Sequence, residues 1–370
     1  MASIRFFQAP SKALHPFDAL RPVESLHFGV RSIANQWHEA LLSKPTSTAL
    51  HPQLLPTDEA VAVIQNMPED ATWTWEGICL AQTGQGQTVA HDGSPENAWL
   101  ADAAQLFECA GAGLKADLPR LRGAWRLRPL QEEERDSWLT KGIVVHGPMD
   151  QVLVGPGAVL RDASLNTEQG PVVLGPDSEV MEGCRIRGPF ALGEGSVLRM
   201  GSLVYGPTTV GQGCKVGGEL SNVVIHDWSN KAHGGFLGNA VLGSWCNLGA
   251  ETTCSNLKNT YGEIAEWDEG LRAFETKGRT FCGLLMGDHS KTGIHTAFST
   301  ATVVGAMCNV FGDATPLRNL PSFSWGGQNE QVHDLERALQ TAKKVMARRN
   351  QAMDAETEAR IREAFAATRG

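Results

Sequence analysis

The most chemically suggestive stretch of the chain is Ser229-Asn230-Lys231-Ala232-His233-Gly234-Gly235-Phe236-Leu237-Gly238. His233 is followed at once by two glycines, so a substrate can approach its ring closely. A neutral imidazole is a natural general base for taking a proton from an amine as that amine attacks a thioester. Downstream, Asn247 and Asn256 carry amides that can hold sugar hydroxyls or an acyl carbonyl without charge. The competing explanations are a surface-turn histidine and asparagines that merely fill tight corners. A second polar cluster runs Gly287-Asp288-His289-Ser290-Lys291-Thr292-Gly293-Ile294-His295. Three converging imidazoles would make a zinc site, with His226, His233, His289 and His295 as the candidates. Their spacing does not select three of them, and no metal ligand is assigned.

The elements that must position these residues follow from a six-residue rhythm. Leu174, Val180, Ile186, Leu192, Leu198, Val204, Val210 and Val216 recur at that interval. Neither a helix nor a flat strand has this period, whereas short strands wound into a β-helix do. The rhythm breaks near Asn222, resumes at Leu237, Leu242 and Leu248, and resumes again at Met286, Thr292, Phe298, Val304 and Val310. Residues 259–283 are off-pattern, and 263–268 with 271–276 flank Glu269-Gly270 as a β-hairpin would. Such an insertion is expected to project from a corner of the prism and to take part in binding.

Most of the 40 glycines fall between Gly142 and Gly327, while Gly29 is the only one before Gly77. This asymmetry predicts a small α/β region over 1–145, a β-helix over 146–327 and helices over 328–370. In the first region a strand is expected over 3–7, an amphipathic helix over 22–38, a strand through Trp73 and Trp75, and a helix over 95–109. In the last, Val332, Leu335, Leu339, Ala342 and Met346 form a helical stripe, and Asp354 opens a final helix. These helices are expected to cover the open end of the solenoid or to make subunit contacts. A formal charge of −9 argues against a nucleic-acid partner. Eight scattered cysteines without a CxxC pair suggest neither a zinc ribbon nor a disulfide framework. Without a signal-like start or an apolar span, no membrane association and a cytoplasmic location are the expectation.

From Ser229 to Asn256 the chain resembles the acetyltransferase half of the bifunctional UDP-N-acetylglucosamine pyrophosphorylase/glucosamine-1-phosphate N-acetyltransferase family. The shared order is His233, Phe236, Leu237-Gly238, then Asn247-Leu248-Gly249-Ala250-Glu251-Thr252, where the family has glycine in place of Glu251, and Asn256. A shorter bacterial variant of that family is closer still, through Leu20-Arg21-Pro22-Val23, Asn230-Lys231-Ala232-His233, Ser255-Asn256-Leu257-Lys258-Asn259, Met286-Gly287-Asp288-His289-Ser290-Lys291 and Pro321-Ser322-Phe323-Ser324-Trp325-Gly326-Gly327. The resemblance implies a homotrimeric left-handed parallel β-helix, mainly β, that moves acetyl from acetyl-CoA to an amino-sugar phosphate between subunits. It implies His233 as general base, Asn247 on the sugar, and Ala250 and Asn256 on acetyl-CoA. Phe236, Lys231, Lys258 and Arg21 complete the expected substrate ligands.

The chain departs from the family at several points. Phe236 stands where the family usually has a tyrosine, and Ser221 where it has a lysine. Arg187, Arg199, Lys258 and Lys277 are the cations left to meet a phosphate. The family's other activity, sugar-1-phosphate nucleotidyl transfer with Mg2+, requires a glycine-rich phosphate loop. The first 76 residues hold one glycine, so that activity, centred on Arg21, is the alternative reading; a non-catalytic β-helix that binds a sugar nucleotide is the third.

Overall fold

The computed structural model describes residues 4–7, 12–42, 47–329 and 331–368, apart from the side chain of Glu96. The centre of the chain is a left-handed parallel β-helix of three flat faces. On the first face Val152–Val154 pairs in parallel with Val172–Leu174, which pairs with Phe190–Leu192 and then Thr208–Val210. The ladder continues through Glu219–Ile225, Phe236–Leu242, Leu284–Met286 and Thr302–Val304 to Asn319–Leu320. The second face stacks Val159–Leu160, Glu179–Val180, Val197–Leu198, Lys215–Val216 and Asn230–Lys231. The third stacks Val144–His146, Ser164–Asn166, Arg185–Arg187, Leu203–Tyr205 and the start of Glu219–Ile225. All eight aliphatic residues of the unbroken rhythm point inwards, none more than 2% exposed. Each such plug contributes roughly 1.5–3 kcal/mol by leaving water.

The break at Asn222 has a geometric cause. Two coils earlier the chain turns this corner at Gly188-Pro189, and one coil earlier at Gly206-Pro207. At Asn222 and again at Asn239 it turns on one asparagine with positive φ, shortening the coil. Leu220 and Val223 then fill the interior in place of the expected position.

The N-terminal region contains a five-stranded sheet ordered Ile4–Phe6, Thr48–Leu50, Ile78–Thr83, Ala71–Trp75, Thr88–Asp92. Ser3, expected to begin the first strand, lies outside the described residues. The helix expected over 22–38 is confined to Ile33–Ala40, capped by the Ser32 hydroxyl. Before it, His27–Phe28 and Arg31–Ser32 form a hairpin, because Gly29 adopts φ +82° and reverses the chain. The helix expected over 95–109 is a 3-10 turn at Glu96–Ala98, a short helix at Gln105–Glu108 and a longer one at Ala110–Ala124.

This region lies against the first face. Strand residues pointing outwards there are aliphatic: Leu153, Val173 and Ala191 meet Val30, Leu114 and Leu121. Val224, Val241, Leu285 and Val303 join one cluster with Leu14, Phe17 and Phe107. The helix over Ala110–Ala124 comes so close at Gly113 that a Cβ there would sit 2.7 Å from the Gly29 nitrogen.

The insertion is a hairpin of Ala265–Asp268 and Ala273–Thr276. Its tip is exposed and its foot is anchored. The Arg279 guanidinium binds Glu266 at the hairpin's foot together with Asp102 and Glu108 of the N-terminal region, and Ile264 and Cys282 are fully buried in the shared core. At the C-terminus Leu335–Ala347 and Ala355–Ala367 are helices capped by Asp334 and Asp354. Val332, expected on the first of these, instead pairs with Ser324 as an exposed strand residue. Both helices lie along one corner of the prism, where Ala338, Leu339, Ala342 and Ile361 cover Met307 and Phe323. They reach back over earlier coils, with Arg349 donating to the Asn230 side chain at 2.9 Å. No helix among the described residues is long and apolar enough to cross a membrane.

Candidate functional site

The three corners differ sharply in chemistry. The first, joining the first and second faces, turns on residues with positive φ that stack from coil to coil: Trp228, Trp245, His289, Met307 and Phe323. The Trp228 and Trp245 rings lie 5.4 Å apart and 11° from parallel, and His289 follows at 6.0 Å and 12°. Burial holds the His289 imidazole well below its ordinary pKa, with Lys291 and Arg21 adding to the effect. Arg21 reaches this corner and pairs with Asp288, its Nε 2.7 Å from Oδ2. His226 is also here, fully buried, its Nε2 accepting from the His27 backbone at 3.0 Å.

The second corner is open. Gly217 and Gly218 form it in one coil, residues 232–235 in the next, and Gly249-Ala250-Glu251 in the one after. His233 sits at the apex, exposed, and its ring makes no hydrogen bond or ion pair among the described residues. A Cβ on the following Gly234 would meet only the end of the Glu251 side chain, which would have to swing aside. Gly235 has φ +100°. Lys231, just before this turn, is 1% exposed. Its Nζ donates to the carbonyls of Gly217 at 3.1 Å, His233 at 2.5 Å and Gly234 at 2.8 Å. Lys231 was expected among the substrate ligands, yet its ammonium points into the solenoid and is fully engaged there. His295 lies further along the same corner.

The remaining candidates fall elsewhere. Asn247 is exposed on the second face, where Asn230 donates to its Oδ1 at 3.4 Å. Phe236 and Asn256 meet at the third corner: the Phe236 ring lies over Gly238, and Asn256 Nδ2 donates to Asn239 Oδ1 at 2.7 Å. Lys258 Nζ donates to the Glu263 carbonyl, tying the hairpin's root. Beside it a groove of about 480 Å3 is lined by Ser255, Lys258, Thr260, Ser299, Thr300 and Thr315. Lys277 pairs with Asp268 at 3.4 Å, and Arg187 lies 6.0 Å over the Tyr205 ring.

Within one protomer the structure therefore joins His233 with Ala250, and Phe236 with Asn256. Asn247 stands on the second face, three residues before Ala250, and Arg21 is at the first corner with Asp288. The four histidines divide between two corners, His226 and His289 at the first, His233 and His295 at the second. Among the described residues no group of three or more His, Cys, Asp or Glu side chains is arranged to hold a metal. Reading the sequence missed Glu251 and the buried role of Lys231. The first had a signal, since the family pattern has glycine where this chain has Glu251. The second had none, because burial of an ammonium depends on the neighbouring coil.

No protein-family profile matches the chain. It is 24% identical over 236 residues to the bifunctional protein GlmU of Acaryochloris marina (strain MBIC 11017), a match covering 55% of this chain. The chain spans less than half, 45%, of that relative's length. Among solved structures, an Arabidopsis UDP-N-acetylglucosamine acyltransferase matches 56% of this chain and 78% of its own, at 16% identity and a TM-score of 0.25. The polySia-specific acetyltransferase NeuO matches 55% and 91%, at 10% identity and 0.29. AntD, an N-acyltransferase from Bacillus cereus, matches 60% and 99%, at 12% identity and 0.23.

Proposed function

We propose that the protein is an acetyl-CoA-dependent N-acetyltransferase acting on an amino-sugar phosphate in nucleotide-sugar synthesis. The observation that carries this reading is the apex of the second corner. There an unencumbered imidazole stands exposed on a rigid solenoid, within the ordered set His233, Phe236, Leu237-Gly238, Asn247, Ala250, Asn256. The acceptor nitrogen attacks the thioester carbonyl, a C–N bond forms and the C–S bond breaks. His233 takes the proton lost by the nitrogen and returns it to the departing thiolate, so no net charge is left on the enzyme. Ala250, one coil on at the same corner, leaves room for the acetyl-CoA chain. The amides of Asn247 and Asn256 orient sugar and thioester.

Because these groups sit on different faces of one protomer, the reading includes a homotrimer in which neighbouring copies complete each site. Nucleotidyl transfer is not favoured. Arg21 is committed to Asp288, and Gly29 is packed against the Gly113 segment and bounds no loop for a triphosphate. The test is acetyl transfer from acetyl-CoA to a panel of amino-sugar 1-phosphates. Turnover should fall by about 10²–10⁴ in His233→Ala. Unchanged turnover in that variant would show that the base lies elsewhere.

A further inference from the structure

The ammonium of Lys231 sits where two glycine-rich turns meet. Below it Gly217-Gly218 closes one coil; above it His233-Gly234-Gly235 closes the next. The backbone already links the two, with Gly217 N donating to Lys231 O at 2.7 Å and Glu219 N to Gly235 O at 3.3 Å. Those bonds leave three carbonyls, of Gly217, His233 and Gly234, aimed at one point, and Nζ occupies it. Gly218 makes the space. Its φ is +78°, and a Cβ there would lie 2.8 Å from the His233 and Gly235 oxygens and 2.9 Å from Nζ. A protonated lysine has three donors, which matches the three acceptors, whereas the neutral amine has two. Among the described residues the ammonium makes no ion pair, so its attachment is to backbone alone.

We propose that Lys231 is a positioning residue for His233: its ammonium pins both turns of the second corner and sets the direction in which the imidazole is presented. This rests on the reading of His233 as the base. The charged groups around it are Glu251 on the following coil, Glu219 on the preceding one, Arg199 one coil further back, whose Cβ abuts Gly217, and His233 on its own coil. Burial lowers the lysine's pKa to about 8, with Glu251 acting in the opposite direction. The third donor is therefore lost just above neutrality.

The experiment follows the His233 ring by NMR in the full chain labelled at histidine carbon. Its signal is assigned by its loss in His233→Gln. Between pH 6.5 and 9.5, on the order of the window set by reference pKa values, the signal should show an inflection near 8, where Lys231 loses its proton. In Lys231→Met that inflection should vanish and kcat should fall about 10–100-fold, with KM for acetyl-CoA changed less than about threefold. Lys231→Arg, which keeps the charge, should recover part of kcat. A His233 signal in Lys231→Met that overlays the native one at every pH would overturn the proposal. Should that variant fail to fold, the native pH series decides alone, and a curve with no inflection near 8 is fatal. An inflection that depends on Lys231 in a protein showing no acetyl transfer would uphold the positioning and sink the catalytic reading instead.

Discussion

The first and second corners are built on the same backbone turn, repeated coil by coil, yet they have opposite fillings. At the first, positive-φ positions carry Trp228, Trp245, His289, Met307 and Phe323, and the C-terminal helices close over the last two. At the second, Gly217, Gly218, Gly234 and Gly235 leave the backbone bare and a histidine exposed. Large side chains in a left-handed conformation are strained. Stacking of Trp228, Trp245 and His289 and burial of Met307 and Phe323 under Leu339 and Ile361 offset that strain. Gly218 and Gly235 need no such compensation, and only further along the second corner do Glu251 and His295 take positive φ. One corner holds the molecule together and the other is available for chemistry.

That division can be broken experimentally, most strongly at the joint between Arg21 and Asp288. Asp288→Ala strands a buried guanidinium and should lower unfolding free energy by about 3–5 kcal/mol, measured by urea titration. If the loss is under ~1 kcal/mol, the first corner is not the structural joint. Trp245→Ala removes the middle ring of the stack and should cost about 3 kcal/mol in the same assay. A smaller but more pointed effect is expected from Gly218→Ala. Strain at positive φ and the crowding of Nζ should cost ~1–2 kcal/mol and reduce acetyl transfer together. His233→Ala completes the contrast, with stability within ~0.5 kcal/mol of native.

A further check concerns pH. Burial, reinforced by Glu269, raises the Asp18 carboxyl to about 6. A carboxyl with a native pKa above its unfolded value binds its proton more tightly when folded. Its contribution to stability is therefore present below about 4 and is lost as pH climbs through about 6. Asp18→Asn should flatten that slope and stabilise the protein at pH 7 by up to ~2 kcal/mol, read by denaturant unfolding at several pH values.

The architecture was legible because a solenoid writes itself into sequence locally. Each plug from Leu174 to Val216 needs only its own coil and the next. Where a position depends on distant chain, legibility stopped. The helix expected over 22–38 has a good apolar period, yet one φ at Gly29 and the approach of Gly113 turn half of it into a hairpin. Val332 has the right spacing for a helix but pairs with Ser324. At the candidate site the imidazole could be picked out from its glycine neighbours. The sequence did not disclose that Lys231 faces inwards, since that depends on three carbonyls converging from two coils. Strings such as Met286-Gly287-Asp288-His289, Leu20-Arg21 and the segment around Phe323 carried part of the resemblance read from the sequence. In the fold they meet at the sealed first corner, a packing joint, and none of them reaches His233.

One feature of the first face bears on how the molecule can be dissected. Its outer surface presents Leu153, Val173, Ala191, Val224, Val241, Leu285 and Val303, a greasy wall that the N-terminal region keeps dry. Cutting the chain near residue 145 to obtain the solenoid by itself would unveil that wall along its whole length. The expected product is a sticky fragment that precipitates or recruits any apolar surface on offer. Work on the second corner is better done with both regions left joined.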